Sequence, residues 1–198
     1  MITYEIDPQL KNRKIEELVT LPKVITVNAF TEVSAKEFRK EFNDAIATGQ
    51  KVIPIEIDSY GGQVYALTSM METIAASPVP VATIATGKAM SCGAMLLSCG
   101  TEGMRYIRPY STVMIHEVSS FAFGKLEEIK ADVKEAARLN KFLFREMAKN
   151  CGKNRNYFID IVAERKNADW FLDAEDVVKH NLANKIGSLN LKVTISAK

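Results

Sequence analysis

The sequence has little of what metal and disulfide chemistry require: two histidines and three cysteines in 198 residues. It contains no Cys-x-x-Cys and no His-Glu-x-x-His, so a zinc site has no ligand set to draw on, and no metal or cofactor is implied. Cys92, Cys99 and Cys151 cannot all pair with one another, which argues against a disulfide framework. No run reaches the ~18 consecutive apolar residues of a membrane span. Residues 1–7 have neither the basic start nor the apolar centre of a secretory signal, so a cytoplasmic address is expected. Blocks of like charge are missing too. The 26 basic and 24 acidic residues, net +2, are spread along the chain and offer no nucleic-acid or membrane surface. There is no internal repeat and no low-complexity segment.

What is present is an ordinary globular composition, 47% apolar, in a length that fits a single domain over residues 1–198. A domain of this size buries roughly 70% of its unfolded surface. Short apolar strands alternate with amphipathic helices, the pattern of an α/β fold. Val24–Val27 reads as a strand. Ser34 and Glu37 have capping-box spacing and open a helix with Phe38, Phe42, Ala45 and Ile46 on one face, closed by Gly49. Val52–Ile57 is the next strand, and Pro54 marks it as an edge or a bulge. Val64, Leu67, Met71, Ile74 and Ala75 share a helical face, ended by Pro78 and Pro80. Val81–Ala85 and Val113–Ile115 are buried strands, with a short helix from Gly93 to Cys99 between them. The longest periodic segment, about 125–149, sets Leu126, Ile129, Val133, Ala136, Asn140, Leu143 and Met147 near one stripe. A helix this long exceeds the needs of the domain, so part of it is expected to project onto another subunit; an ordinary surface helix is the competing reading. Asp173 caps a last helix through His180, and Lys192–Ile195 reads as a terminal strand.

The chemistry-bearing residues lie where strands give way to helices. In Gly87-Lys88-Ala89-Met90-Ser91-Cys92-Gly93-Ala94 a buried strand runs through small residues into a serine and then a helix. Free amides and the macrodipole favour negative charge at such a helix start. That suits a nucleophile whose attack creates an oxyanion. A plain helix cap explains the same serine. The pair Gly61-Gly62 also follows a strand, and glycine lets backbone N–H groups approach a ligand closely, although a tight turn needs glycine equally. Two such turns of one parallel sheet lie side by side at the carboxyl edge, where α/β sheets bind ligands. The Gly62 and Cys92 amides can then form an oxyanion hole together.

His116 ends the strand Val113–Ile115 at that same edge, where a structural role is the competing reading. His180, in a helix whose Lys179-His180 pair looks solvated, is the poorer base. A serine hydroxyl needs such a base near neutral pH. The base needs a carboxylate to fix its tautomer. Asp160, Glu164, Asp169, Asp173 and Asp176 are available. Asp173 and Asp176 sit at a helix start, and Asp169, before Trp170-Phe171-Leu172, should be partly desolvated. Spacing leaves Asp169 and Asp160 both open.

Four segments in order resemble the ClpP peptidase family: Ser59-Tyr60-Gly61-Gly62, the stretch from Gly87 to Ala94, Val113-Met114-Ile115-His116, and Asp169-Trp170-Phe171-Leu172-Asp173-Ala174-Glu175-Asp176. Each is weak alone; the ordered set, spanning roughly positions 20 to 190, is specific. The resemblance implies a crotonase-like fold of repeated ββα units with a projecting handle helix near 125–149. It implies a homo-oligomer of stacked heptameric rings enclosing the sites, with peptide or unfolded-protein substrates and an AAA+ ATPase as a partner. Carried over, Ser91, His116 and Asp169 are the catalytic triad and the Gly62 and Cys92 amides the oxyanion hole. Tyr60 stands where the family has proline, and Glu117-Val118-Ser119-Ser120 replaces its Gln-Pro and glycine pair, a segment that binds extended peptide. Ala168 replaces an arginine that pairs across rings. The amino terminus has no evident counterpart of the axial loop segment. Such divergence fits a phage or accessory member.

The leading reading is therefore a serine endopeptidase. Three others compete: a Ser–Lys dyad using Lys88, a catalytically inactive ring subunit that modulates an active partner, and an acyl-CoA enzyme on the same fold. Only the first two enzyme readings require Ser91, and only the first requires His116.

Overall fold

The computed structural model describes residues 2–4, 22–119 and 123–193. In chain order the elements are β1 (Ile2–Tyr4), β2 (Ile25–Val27), α1 (Glu32–Ala47), β3 (Ile53–Ser59), α2 (Val64–Ala75), β4 (Val81–Met90) and α3 (Cys92–Ser98). They continue with β5 (Arg105–Ile107), β6 (Thr112–Ile115), α4 (Leu126–Asn150), α5 (Tyr157–Glu164), β7 (Trp170–Leu172), α6 (Ala174–Lys179), β8 (Lys185–Ile186) and β9 (Leu191–Val193). This is a mixed α/β fold around a seven-stranded sheet, ordered β2-β3-β4-β5-β8, with β6 on β4 and β7 on β6. Every pairing along β2 to β8 is parallel, and β6–β7 alone in that sheet is antiparallel. β1 and β9 form a separate parallel pair; the expected strand residues Thr194 and Ile195 lie outside the described residues.

Strand β4 organises the molecule. Its first half, Thr83–Ala85, pairs with β5, and its second half, Lys88–Met90, pairs with β6. The strand is twice as long as its apolar run suggests because Gly87, at φ +84°, lets the chain pass a bulge and resume pairing. One face of β3, carrying Ile53, Ile55 and Ile57, is fully buried, whereas the opposite face runs from buried Pro54 to the partly exposed Glu56 and Asp58. Each such aliphatic side chain contributes roughly 1.5–3 kcal/mol by leaving water.

Local sequence signals hold at some helix and strand ends and are displaced at others. Gly49 closes α1 at φ +78°, its amide donating to Ile46. The cap at the other end is Thr31, which accepts from the Ser34 amide while Ser34 Oγ accepts from the Thr31 amide; the expected Ser34–Glu37 box is one turn late. β3 is not an edge strand, nor does its bulge fall at Pro54. The Ile53 amide donates to Pro80 on the β4 side, so the donor that proline lacks would face β2. There β2 begins to pair only at Ile25, opposite Ile55. The Gln50 side chain donates to the Lys23 carbonyl just before that point, at 3.1 Å.

The long helix α4 has two halves. No residue from Leu126 to Arg138 is buried, and Leu126 and Val133 are largely exposed; burial begins at Leu139 and continues through Phe144, Met147 and Ala148. Arg105, itself buried, anchors the inner end by donating to the Asn150 and Ser98 carbonyls and pairing with Glu102 at 2.6 Å. Among the described residues no helix is long and apolar enough to cross a membrane.

Candidate active site

The adjacent parallel strands β3 and β4 deliver two turns to one edge, Tyr60–Gln63 and Ser91. Ser91 occupies the N-cap position of α3, yet its side chain makes no capping hydrogen bond. Its backbone sits at φ 53°, ψ −115°, the conformation of a type II′ turn in which glycine is usual. A serine held there costs on the order of 1–3 kcal/mol and leaves its hydroxyl free of the helix start. The strain is sustained on both sides. The Ser91 amide donates to Met114 of β6 at 2.8 Å, and the Ser91 carbonyl accepts from Ala94 and Met95.

The glycine pair packs directly on this serine. A Cβ on Gly61, at φ +106°, would lie 2.7 Å from Ser91 Cβ and 3.2 Å from its Oγ. One on Gly62 would strike the Phe30 carbonyl at 2.5 Å. The Gln63 amide bonds that carbonyl at 2.8 Å, which leaves the Gly62 amide outside the Phe30–Gly62 bridge. The first residue of a helix has no intrahelical acceptor, so the Cys92 amide is unclaimed as well. Cys92 Sγ donates to the Gly62 carbonyl at 3.3 Å and ties the two turns together. Burial pushes this thiol's pKa up, so it stays a neutral donor; Cys99 and Cys151 are pushed up by burial to about 12.

Strand register brings the other two residues in. β6 runs parallel to β4 with Met90 opposite Met114, which sets His116 one step beyond Ser91 on the neighbouring strand. β7 runs antiparallel to β6 with Ile115 opposite Trp170, so His116 and Asp169 are the next pair along the ladder. His116 Nδ1 lies 4.0 Å from Asp169 Oδ1. That is an ion-pair contact and longer than a hydrogen bond. Among the described residues no hydrogen bond joins Ser91 Oγ to His116. The Asp169 side chain is 55% exposed, not desolvated as its apolar neighbours suggested. The reason is the two-residue period: Trp170 and Leu172 turn into the core, whereas Asp169 and Phe171 share the outward face.

Asp173, Asp176, His180 and Lys88 have other occupations. Asp173 accepts from the Asp176 amide at 2.9 Å as the cap of α6, and Asp176 lies 3.7 Å from Lys179. His180 is not a solvated residue: its Nδ1 shares a hydrogen bond with Tyr157 Oη at 2.8 Å, and its ring meets the Trp170 edge. Lys88 Nζ bonds Asp58 Oδ1 at 2.6 Å, and that bond holds the ammonium pKa above the usual lysine value. A lysine so engaged is a poor general base.

Ser91 and His116 both line a cleft of about 60 Å³ walled by Gly62, Leu67, Met95 and Met147. One contributor escaped the sequence reading. Asn140, counted there in the apolar stripe, accepts from the Val118 amide at 3.1 Å and donates to Glu117 at 3.0 Å. It fastens the segment after His116 to α4. A polar residue at a core-facing helical position was the available signal.

The family model described as Clp protease matches residues 5–190. A curated relative, the ATP-dependent Clp protease proteolytic subunit 1 of Chlamydia felis, is 34% identical over 139 residues. That match covers 70% of this chain and 66% of the relative, just under two thirds of the relative's length.

Proposed function

The chain belongs to the Clp protease family, and from that premise we propose that it is a serine endopeptidase with Ser91, His116 and Asp169 as its triad. Ser91 Oγ attacks the scissile carbonyl while His116 takes its proton; the proton then passes to the leaving amine, giving an acyl-enzyme that water hydrolyses. Asp169 orients His116 and stabilises the imidazolium. The tetrahedral oxygen receives hydrogen bonds from the Gly62 and Cys92 amides, which need no reorganisation as charge develops. The observation that carries this reading is the strained, uncapped Ser91 at a helix start, pressed against a glycine turn and sharing a cleft with His116.

The apolar wall of Leu67, Met95, Leu143 and Met147 favours an apolar side chain next to the cleaved bond. The exposed outer half of α4, residues 126–138, serves as the handle helix through which copies of this single domain assemble into stacked rings around the sites. Substrates are peptides or unfolded proteins, the compartment is the cytoplasm, and an AAA+ unfoldase feeds the ring, in keeping with the ATP dependence in the Chlamydia relative's name.

A fluorogenic peptide assay on the assembled protein tests the chemistry. Hydrolysis should be lost in Ser91→Ala and in His116→Ala but retained in Cys92→Ala, which keeps the backbone amide. Activity surviving Ser91→Ala would overturn the assignment.

A further inference from the structure

Three residues beside the site have an arrangement that the triad does not require. Asp58 and Lys88 lie near the ends of β3 and β4, three residues before Gly61 and Ser91 respectively, and Tyr60 follows β3 directly before the glycine pair. The β3–β4 register shifts between Ile57 and Ser59: Ile57 stands opposite Ala85, whereas Ser59 stands opposite Ala89. Two steps on β3 therefore span four on β4, and the surplus is the bulge at Thr86–Lys88. How that bulge is held decides where Ser91 falls relative to the glycine turn.

The bulge is pinned at several points. Thr86 Oγ1 donates to the Ile57 carbonyl at 3.3 Å, and the Gly87 amide donates to Ser111 Oγ at 2.8 Å. Gly87 lacks a Cβ that would lie 3.1 Å from Asp58 Oδ1, which lets the carboxylate close over the bulge. Lys88 reaches across to that same oxygen at 2.6 Å, and its ammonium lies 4.5 Å from the centre of the Tyr60 ring. Tyr60 is itself 75% exposed, so no core packing holds the residue that precedes the glycine pair.

We propose that Asp58, Lys88 and Tyr60 form a clamp across the ends of β3 and β4 that positions the Gly61–Gly62 turn against Ser91, and that Lys88 is its key positioning residue. The ion pair fixes the two strand ends, and the cation–π contact carries that restraint to the turn. A proline at position 60 would stiffen the turn through its own φ; here the stiffness comes from a side-chain contact between strands. The catalytic meaning of the clamp rests on the peptidase reading, in which the turn supplies an oxyanion-hole amide.

The test compares wild type, Lys88→Met, Asp58→Asn, the double variant and Lys88→Arg in the full chain. Peptide kinetics should show kcat reduced roughly three- to tenfold in each single variant with KM unchanged, since the pair is partly exposed yet acts on a geometry-sensitive amide. The double variant should be no slower than either single one, and Lys88→Arg should keep most of the activity. Amide hydrogen exchange gives a readout that needs no activity: residues 60–63 should exchange several-fold faster in Lys88→Met, with the α1 and α4 amides unchanged. Unchanged exchange at 60–63, or additive losses with KM rising alongside, would overturn the clamp. A wild type that hydrolyses nothing would sink the peptidase reading, while the exchange result would still decide the clamp.

Discussion

The two halves of the site are held by different means. The Ser91 half is fixed chiefly by backbone, a parallel ladder on each side, a positive-φ turn and a glycine with no room for a methyl group, with the Lys88 contacts added at the glycine turn. The His116–Asp169 half is fixed by side chains: a 4.0 Å contact at the end of an antiparallel pair, and one asparagine holding the segment that follows the histidine. Backbone ladders fold cooperatively with the core and tolerate little drift. Side-chain contacts of partly exposed groups shift at low cost. The nucleophile and oxyanion amides are thus prepared by folding itself. The acid–base pair has to close from 4.0 Å, as catalytic hydrogen bonds commonly tighten once substrate is bound.

The contrast can be broken from either side. The largest effect should come from Gly61→Ala, which puts a methyl group against Ser91 at a backbone angle alanine rarely adopts. Loss of roughly 10²-fold in kcat and about 2 kcal/mol of stability is expected, read by peptide kinetics and thermal melts. Asp169→Asn should cost less, roughly 10- to 100-fold in kcat with no loss of stability, because the carboxylate is half-exposed and only loosely engaged. A loss as large as that from removing Ser91 would mean that the pair is already closed before substrate binds. Asn140→Leu fills the stripe but frees Glu117 and Val118; kcat should drop several-fold while the melting temperature stays level or rises. If stability falls and kcat does not, Asn140 is only a structural residue.

The smallest effect concerns His180. Burial depresses its pKa, with Lys179 adding to the effect, so the native state prefers the neutral ring. The unfolded chain then binds more protons, and stability is lost as pH falls through and below about 6.5. A His180→Phe variant should show a flatter melting temperature against pH across that range. An unchanged slope would mean that other groups set the acid response.

How much of this was legible in the sequence depended on the length over which a signal acts. Gly49, Asp173 and the apolar runs of β2 and β4 work through contacts a few residues away, and they read correctly. Ser91 and Gly61-Gly62 were readable as strand-to-helix turns, since glycine and small residues mark such turns. β5, β7 and β8 have only two or three residues each and show no period, so nothing local announced them. The antiparallel β6–β7 pair that faces His116 with Asp169 is a contact across more than fifty residues, and spacing alone left Asp160 equally open. Pro54 misled because the rule about edges assumes a partner for every donor, and β2 starts too late to supply one. Lys88 is drawn to Asp58 on a neighbouring strand and His180 is flanked by Tyr157 and Trp170, contacts that no local pattern announces.

All of the proposed chemistry turns on Ser91 as an activated nucleophile. Its most direct test is to treat the assembled protein with a fluorophosphonate and locate the adduct by mass spectrometry. Stoichiometric modification of Ser91 is expected, lost in Ser91→Ala and strongly slowed in His116→Ala. Modification at another residue, or equal labelling of wild type and Ser91→Ala, would contradict it.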